Sequence, residues 1–171
     1  METKITSALQ VMRKLENGAI ANPDENRMVG HYWLRYPEIA PNEELRNAIS
    51  ETLEKVKQLA NAVHSESLSS PNGAFTDLLV IGIGGSALGP QFVGKALGYP
   101  NTDKLKVHFF DNTDPDGIDY TLSEIGDSLC TTLALVISKS GGTPETRNGM
   151  LEAENAFAQK GLNFSKHAIA I

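Results

Sequence analysis

Residues 133–146 read LALVISKSGGTPET. Leu133 to Ile137 form an unbroken apolar run of strand length, and a run without alternation belongs to a strand covered on both faces. The run stops on Ser138, and Lys139, Ser140, Gly141, Gly142 and Thr143 lead to Pro144. A threonine ahead of a proline at the first helical position is a helix start. Met150, Leu151, Ala153, Phe157 and Ala158 then carry a helix to a stop at Gly161. Strand, polar turn and helix in immediate succession are the unit from which parallel sheets are wound.

The same unit recurs on both sides of this stretch. Leu78–Ile81 and Ala168–Ile171 are further short apolar runs of the type buried on both faces, whereas Leu105–Phe110 is made to alternate by Lys106 and His108 and reads as half-exposed, nearer an edge. Leu88, Phe92, Val93, Ala96 and Leu97 form a helical stripe ending at Gly98-Tyr99-Pro100, and a shorter helix after Asp114-Pro115 carries Ile118, Leu122 and Ile125. Residues 71–171 therefore predict an α/β fold, a parallel doubly wound, flavodoxin-like sheet. Ile171 falls inside what reads as the fourth strand, so the domain is expected to be truncated there.

Residues 1–70 predict an N-terminal helical and wrapping segment. Ile5, Leu9, Met12 and Leu15 recur at helical spacing before Asn17-Gly18, and Leu45, Ile49, Leu53, Val56, Leu59 and Val63 make a longer stripe after Pro41-Asn42. Both stripes read as packing faces. Between them, Pro23, Pro37 and Pro41 break up a segment holding His31, Trp33 and Arg35, whose aromatics read as anchors to a core, not as a ligand site. Residues 64–76, HSESLSSPNGAFT, read as a linker or loop.

With 171 residues, the chain has material for one domain and an appendage. Its net charge of -6 and the lack of any basic cluster interleaved with aromatics exclude an electrostatic footprint for nucleic acid or an anionic membrane. Cys130, the single cysteine, rules out an internal disulfide framework and fits a reducing compartment. The N-terminus lacks the apolar core of a secretory signal, and no run is long enough to span a bilayer. A cytoplasmic protein with small-molecule partners is the expectation.

Ligands of open α/β sheets gather at the carboxyl ends of the strands. Two loops there are rich in glycine and hydroxyls. In GIGGSALGP, residues 82–90, Gly82, Gly84 and Gly85 permit a tight turn and close ligand approach, and Ser86 stands where it can cap a helix. Gly82-x-Gly84-x-x-Ala87 also matches a dinucleotide fingerprint, with Asp111 as a candidate ribose-binding acid. Gly89-Pro90 suits that fingerprint's close packing poorly, and Asn112-Thr113-Asp114-Pro115 explains the acid as part of a loop and cap. In residues 138–146, Ser138, Ser140 and Thr143 offer hydroxyls, Gly141 and Gly142 offer backbone N–H groups, Thr143 can cap the helix, and the helix dipole adds roughly +0.5 charge. With Lys139 as the nearest cation and no G-x-x-x-x-G-K-[ST] pattern, this cradle suits a phosphomonoester on a larger polar ligand.

SKSGGTPET resembles the S-x-S-G-x-T-x-E phosphosugar signature of the sugar isomerase (SIS) domain, carried here by Ser138, Ser140, Gly141, Thr143 and Glu145. With VIGIGGSALGP and, upstream, MVGHYWLRYPE, the chain from about Asn22 onward resembles the glucose-6-phosphate isomerase family, closest to its bacterial and cyanobacterial members. The resemblance implies a metal-independent aldose–ketose isomerase that interconverts glucose 6-phosphate and fructose 6-phosphate through an enediol, without cofactor and as a homodimer. It implies phosphate binding by Ser138, Lys139, Ser140 and Thr143 and sugar contacts by Gly85, Ser86 and Glu145. It places the family's glutamate base, arginine, histidine and lysine beyond this chain, so no catalytic residue is expected within it and the chain alone is expected to be inactive. A non-catalytic phosphosugar-binding module and, less favoured, an NAD-binding Rossmann domain are the alternatives.

Overall fold

The computed structural model describes residues 2–171, so that Met1 of the N-terminal segment lies outside the described residues. The polypeptide clusters into two units, Met1–Asn61 and Ala62–Ile171.

The first unit opens with α1 (Glu2–Glu16), followed by the short antiparallel strands β1 (Ile20–Asn22) and β2 (Arg27–Met28). Gly18 ends α1 at φ +84, the left-handed region that glycine adopts without steric cost, and the Ala19 N–H reaches back to the Lys14 carbonyl at 3.0 Å. Two 3-10 turns, His31–Leu34 and Pro37–Ile39, precede α2 (Glu43–His64), whose start is capped by Asn42 accepting from the Leu45 N–H at 2.9 Å. Trp33 is buried and its indole lies over Gly30 so closely that a Cβ there would come within 1.9 Å of the ring. The two helical stripes do not behave as closed packing faces. Ile5, Leu9 and Met12 of α1 and Leu53 and Val56 of α2 are exposed.

The second unit is the expected α/β fold. Its strands are β3 (Asp77–Ile81), β4 (Lys106–Phe110), β5 (Thr132–Val136) and β6 (Ala168–Ala170), all parallel, in the order β4-β3-β5-β6. They alternate with α3 (Gly85–Leu97), α4 (Pro115–Ile125) and α5 (Pro144–Gln159). Right-handed crossovers place α3 on one face and α4 with α5 on the other. On the second face, Ile118, Ile125, Ala153 and Phe157 close a core with Leu79, Ile81, Phe110 and Ala134. Gly149 lets α5 approach β3: a Cβ there would meet Ile81 Cγ2 at 3.0 Å. The end of α5 is set by Gly161 at φ +72, with the Leu162 N–H on the Phe157 carbonyl at 2.9 Å.

Four sequence expectations are corrected in detail. The stripe of α3 is exposed at Leu88, Phe92, Val93 and Leu97, and Ala87 is the residue this helix buries. On α5, Leu151 and Ala158 lie off the inward face, which is Thr146, Gly149, Ala153 and Phe157. β6 is an edge strand and only half-buried, because a strand with one neighbour is not covered on both sides. On β4, also an edge, it is His108 that points inward while Val107 is exposed. Polarity failed to predict the facing because His108 Nε2 finds Asp77 Oδ1 at 2.8 Å, while Thr76 donates to Asp77 Oδ2 at 2.8 Å. A buried polar pair whose atoms are satisfied can occupy a position that an unpaired histidine could not.

Candidate functional site

The strand order reverses direction between β3 and β5: the chain leaves β3 toward β4, then returns past β3 to β5. That junction is the topological switch point of the sheet, where adjacent loops diverge and leave a crevice. β3 and β5 run in register, Ile81 beside Val136, so the two glycine loops leave the same end of neighbouring strands. The contact between them is close: a Cβ on Gly82 would lie 3.2 Å from the Ile137 carbonyl and 2.9 Å from the Ser86 Cβ.

The first loop turns at Gly84, with φ +56 and ψ -125, a conformation essentially restricted to glycine. Gly85 is then the first residue of α3 and Ser86 the second. Ser86 thus lies inside the helix and is not its cap; Gly84 holds the cap position and has no side chain to cap with. A Cβ on Gly84 or Gly85 would meet nothing within 4 Å, so the space over both residues is open.

The second loop is tied together by its own hydroxyls. Ser138 Oγ accepts from the Gly141 N–H at 3.1 Å and shares a hydrogen bond with Thr143 Oγ1 at 3.1 Å. Ser140 Oγ accepts from the Gly142 N–H at 3.3 Å, and Gly141 has φ +70. The glycine N–H groups expected to be exposed are therefore each engaged by a loop serine. Thr143 stands at the cap position of α5, but its hydroxyl makes no capping bond, being turned to Ser138 instead. Arg147 N–H bonds the Thr143 carbonyl at 3.0 Å, so the regular helix ladder begins there; the N–H groups ahead of it, those of Glu145 and Thr146, have no intrahelical acceptor. Glu145 is part-buried in the first turn, where a carboxylate is favoured by the dipole. Lys139 and Ser140 are exposed.

Ser138, Ser140, Thr143 and Glu145 thus cluster on one loop and helix start, and Gly85 and Ser86 open the neighbouring helix. Two helix N-termini without side-chain caps, those of α3 and α5, flank the crevice. Such an arrangement can receive an anion and hydrogen-bond a polyhydroxy ligand. Asp111, the acid of the dinucleotide fingerprint, has both carboxylate oxygens engaged: Oδ2 accepts from Gln91 Nε2 at 2.6 Å and Oδ1 from Asn112 Nδ2 at 2.8 Å. Sequence reading did not single out Gln91 or Gly149, since one polar residue on an apolar helix and one glycine inside a helix carry no signal before their partners are placed. Among the described residues, no group of three or more His, Cys, Asp or Glu side chains is arranged to hold a metal ion, and no helix is long and apolar enough to cross a membrane.

A family model described as phosphoglucose isomerase matches residues 2–171. The glucose-6-phosphate isomerase of a Geobacter species is 60% identical over 172 aligned residues, which cover 100% of this chain and 32% of the relative. That of Synechococcus elongatus is 59% identical with the same coverage. The crystal structure of a glucose-6-phosphate isomerase from Chlamydia trachomatis superposes with a TM-score of 0.77 at 29% identity, over 98% of this chain and 32% of that one. The chain spans about a third of the length of these relatives. With the match running through all described residues, including both loops of the crevice, the chain belongs to the phosphoglucose isomerase family.

Proposed function

We propose that this chain supplies the phosphate-binding part of a glucose-6-phosphate isomerase, which interconverts glucose 6-phosphate and fructose 6-phosphate by moving a proton between C2 and C1 through an enediol. The observation that carries this reading is the uncapped start of α5 beside a hydroxyl cradle. On binding, phosphate oxygens take over as acceptors from Ser138 and Ser140 and receive the hydroxyl protons of Ser138, Ser140 and Thr143, with Lys139 adding positive charge at the rim. The α5 dipole then favours the dianion without a metal. Gly85 and Ser86 face the sugar across the switch point, and Glu145 accepts from a sugar hydroxyl.

Anchoring the phosphate fixes the carbon skeleton while leaving C1 and C2 free to react, which is the role remote binding energy plays in catalysis. We assign proton transfer to none of this chain's Glu or His residues; the base belongs to polypeptide that the relatives carry outside the matched third. The whole protein is proposed to be a cytoplasmic homodimer with an SIS-type fold, working on hexose 6-phosphate.

The test is a titration of the chain with fructose 6-phosphate followed by backbone amide NMR. Shifts concentrated at 138–146 and weakened in Ser140→Ala are expected. A folded chain whose amides there do not respond would overturn the cradle, and isomerase turnover by the 171 residues alone would overturn the placement of the base.

A further inference from the structure

Gln91 lies on α3 five positions after Ser86, and its Nε2 donates to Asp111 Oδ2 at 2.6 Å. Asp111 directly follows the end of β4, and its other oxygen accepts from Asn112, whose own Oδ1 accepts from the Asp114 N–H at 2.8 Å. A line of hydrogen bonds therefore runs from the second turn of α3 to the start of α4. It matters because α3 has little else to hold it. Ala87 is the residue it buries, its apolar stripe is exposed, and its N-terminus has no side-chain cap. A helix so loosely packed is a poor foundation for Gly85 and Ser86 unless something fixes its lateral position.

Resting on the reading that the crevice holds a hexose phosphate, we propose that Gln91 is a positioning residue for the sugar side of the site. Its bond to Asp111 ties α3 to the end of β4 and so sets how far Gly85 and Ser86 stand from the phosphate cradle on β5. Gln91 does not touch the ligand. Its removal should therefore penalise a ligand that spans both loops and spare one that needs the cradle alone.

The 171-residue chain would be titrated with fructose 6-phosphate and, separately, with inorganic phosphate, reading amide shifts at 84–86 and 138–143. Gln91→Glu sets two carboxylates against each other; it should weaken fructose 6-phosphate about tenfold, erase the ligand-induced shifts at 84–86, and leave inorganic phosphate unaffected. Adding Asp111→Asn to it reverses donor and acceptor, retains the bond to Asn112, and should restore affinity to within about twofold of the parent. Gln91→Met, uncharged and close in size, carries the same test by a loss of about threefold if the carboxylate variant does not fold.

Unchanged fructose 6-phosphate binding in a folded Gln91→Glu chain, an equal loss for both ligands, or a double variant no better than the single would overturn the proposal. If instead the parent chain responds to neither ligand at 138–143, the cradle itself fails, and this proposal with it.

Discussion

Helices α4 and α5 begin on the same pattern, a short polar residue followed by proline: Asp114-Pro115 and Thr143-Pro144. Their ends are nevertheless finished differently. Asp114 turns back and accepts from the Gly117 N–H at 3.2 Å, closing α4 with its own carboxylate. Thr143 turns away to Ser138, so its side chain makes no capping bond at the start of α5. A helix start closed by its own residue serves the fold, while one left open beside ordered hydroxyls can receive an anion supplied from outside. On the proposed reading, the pair separates stability from binding within one sheet.

The sharpest way to break the comparison is to make α5 resemble α4. Thr143→Asp places a carboxylate where it can accept the first-turn N–H groups and repel phosphate. Affinity for fructose 6-phosphate should fall at least about tenfold, while the urea midpoint should not fall; undiminished binding would show that the open terminus is not the anion site. The converse change, Asp114→Ala, should cost about 1 kcal/mol of stability in urea denaturation and leave the shifts at 138–143 on titration as they are. A loss of binding there would mean the two helix starts are not independent. The smallest effect is expected on α3. Phe92 is 74% exposed, so Phe92→Ser in this chain should change stability by less than about 0.5 kcal/mol, measured in the same denaturant series. A larger loss would show that the outer face of α3 is packed in solution.

The fold was legible wherever a local rule and the tertiary setting agreed. Leu78–Ile81 and Leu133–Ile137 read as buried strands because β3 and β5 are the two central ones, with a neighbour on each side. Asp114-Pro115 and Gly161 mark helix ends through chemistry confined to a few residues, and both act where the sequence placed them. The misreadings lie where a distant partner decides. His108 counts as polar in a window of six residues and becomes an inward residue only because Asp77, 31 positions earlier, sits beside it. The stripe of α3 has the period of a packing face, yet periodicity cannot say whether a second surface is there to meet it. At the candidate site, the hydroxyls and glycines of 138–143 were legible as a set, but their mutual bonding was not, since the pairing of Thr143 with Ser138 depends on how the intervening loop, with Gly141 at positive φ, folds back.

The strand order carries a consequence for how the chain is made. As β4 emerges from the ribosome, β3 is already present to receive it; β5 then finds the other side of β3 free, and β6 finds β5. Among these four strands, each one made after β3 finds its partner already synthesised. Parallel sheets are slow to form because their partners are far apart in sequence; here one helix separates β3 from β4 and β5 from β6, while α3, β4 and α4 lie between β3 and β5. The sheet can thus grow outward from β3 in the order of translation, and the crevice between β3 and β5 comes into being as soon as the third strand docks.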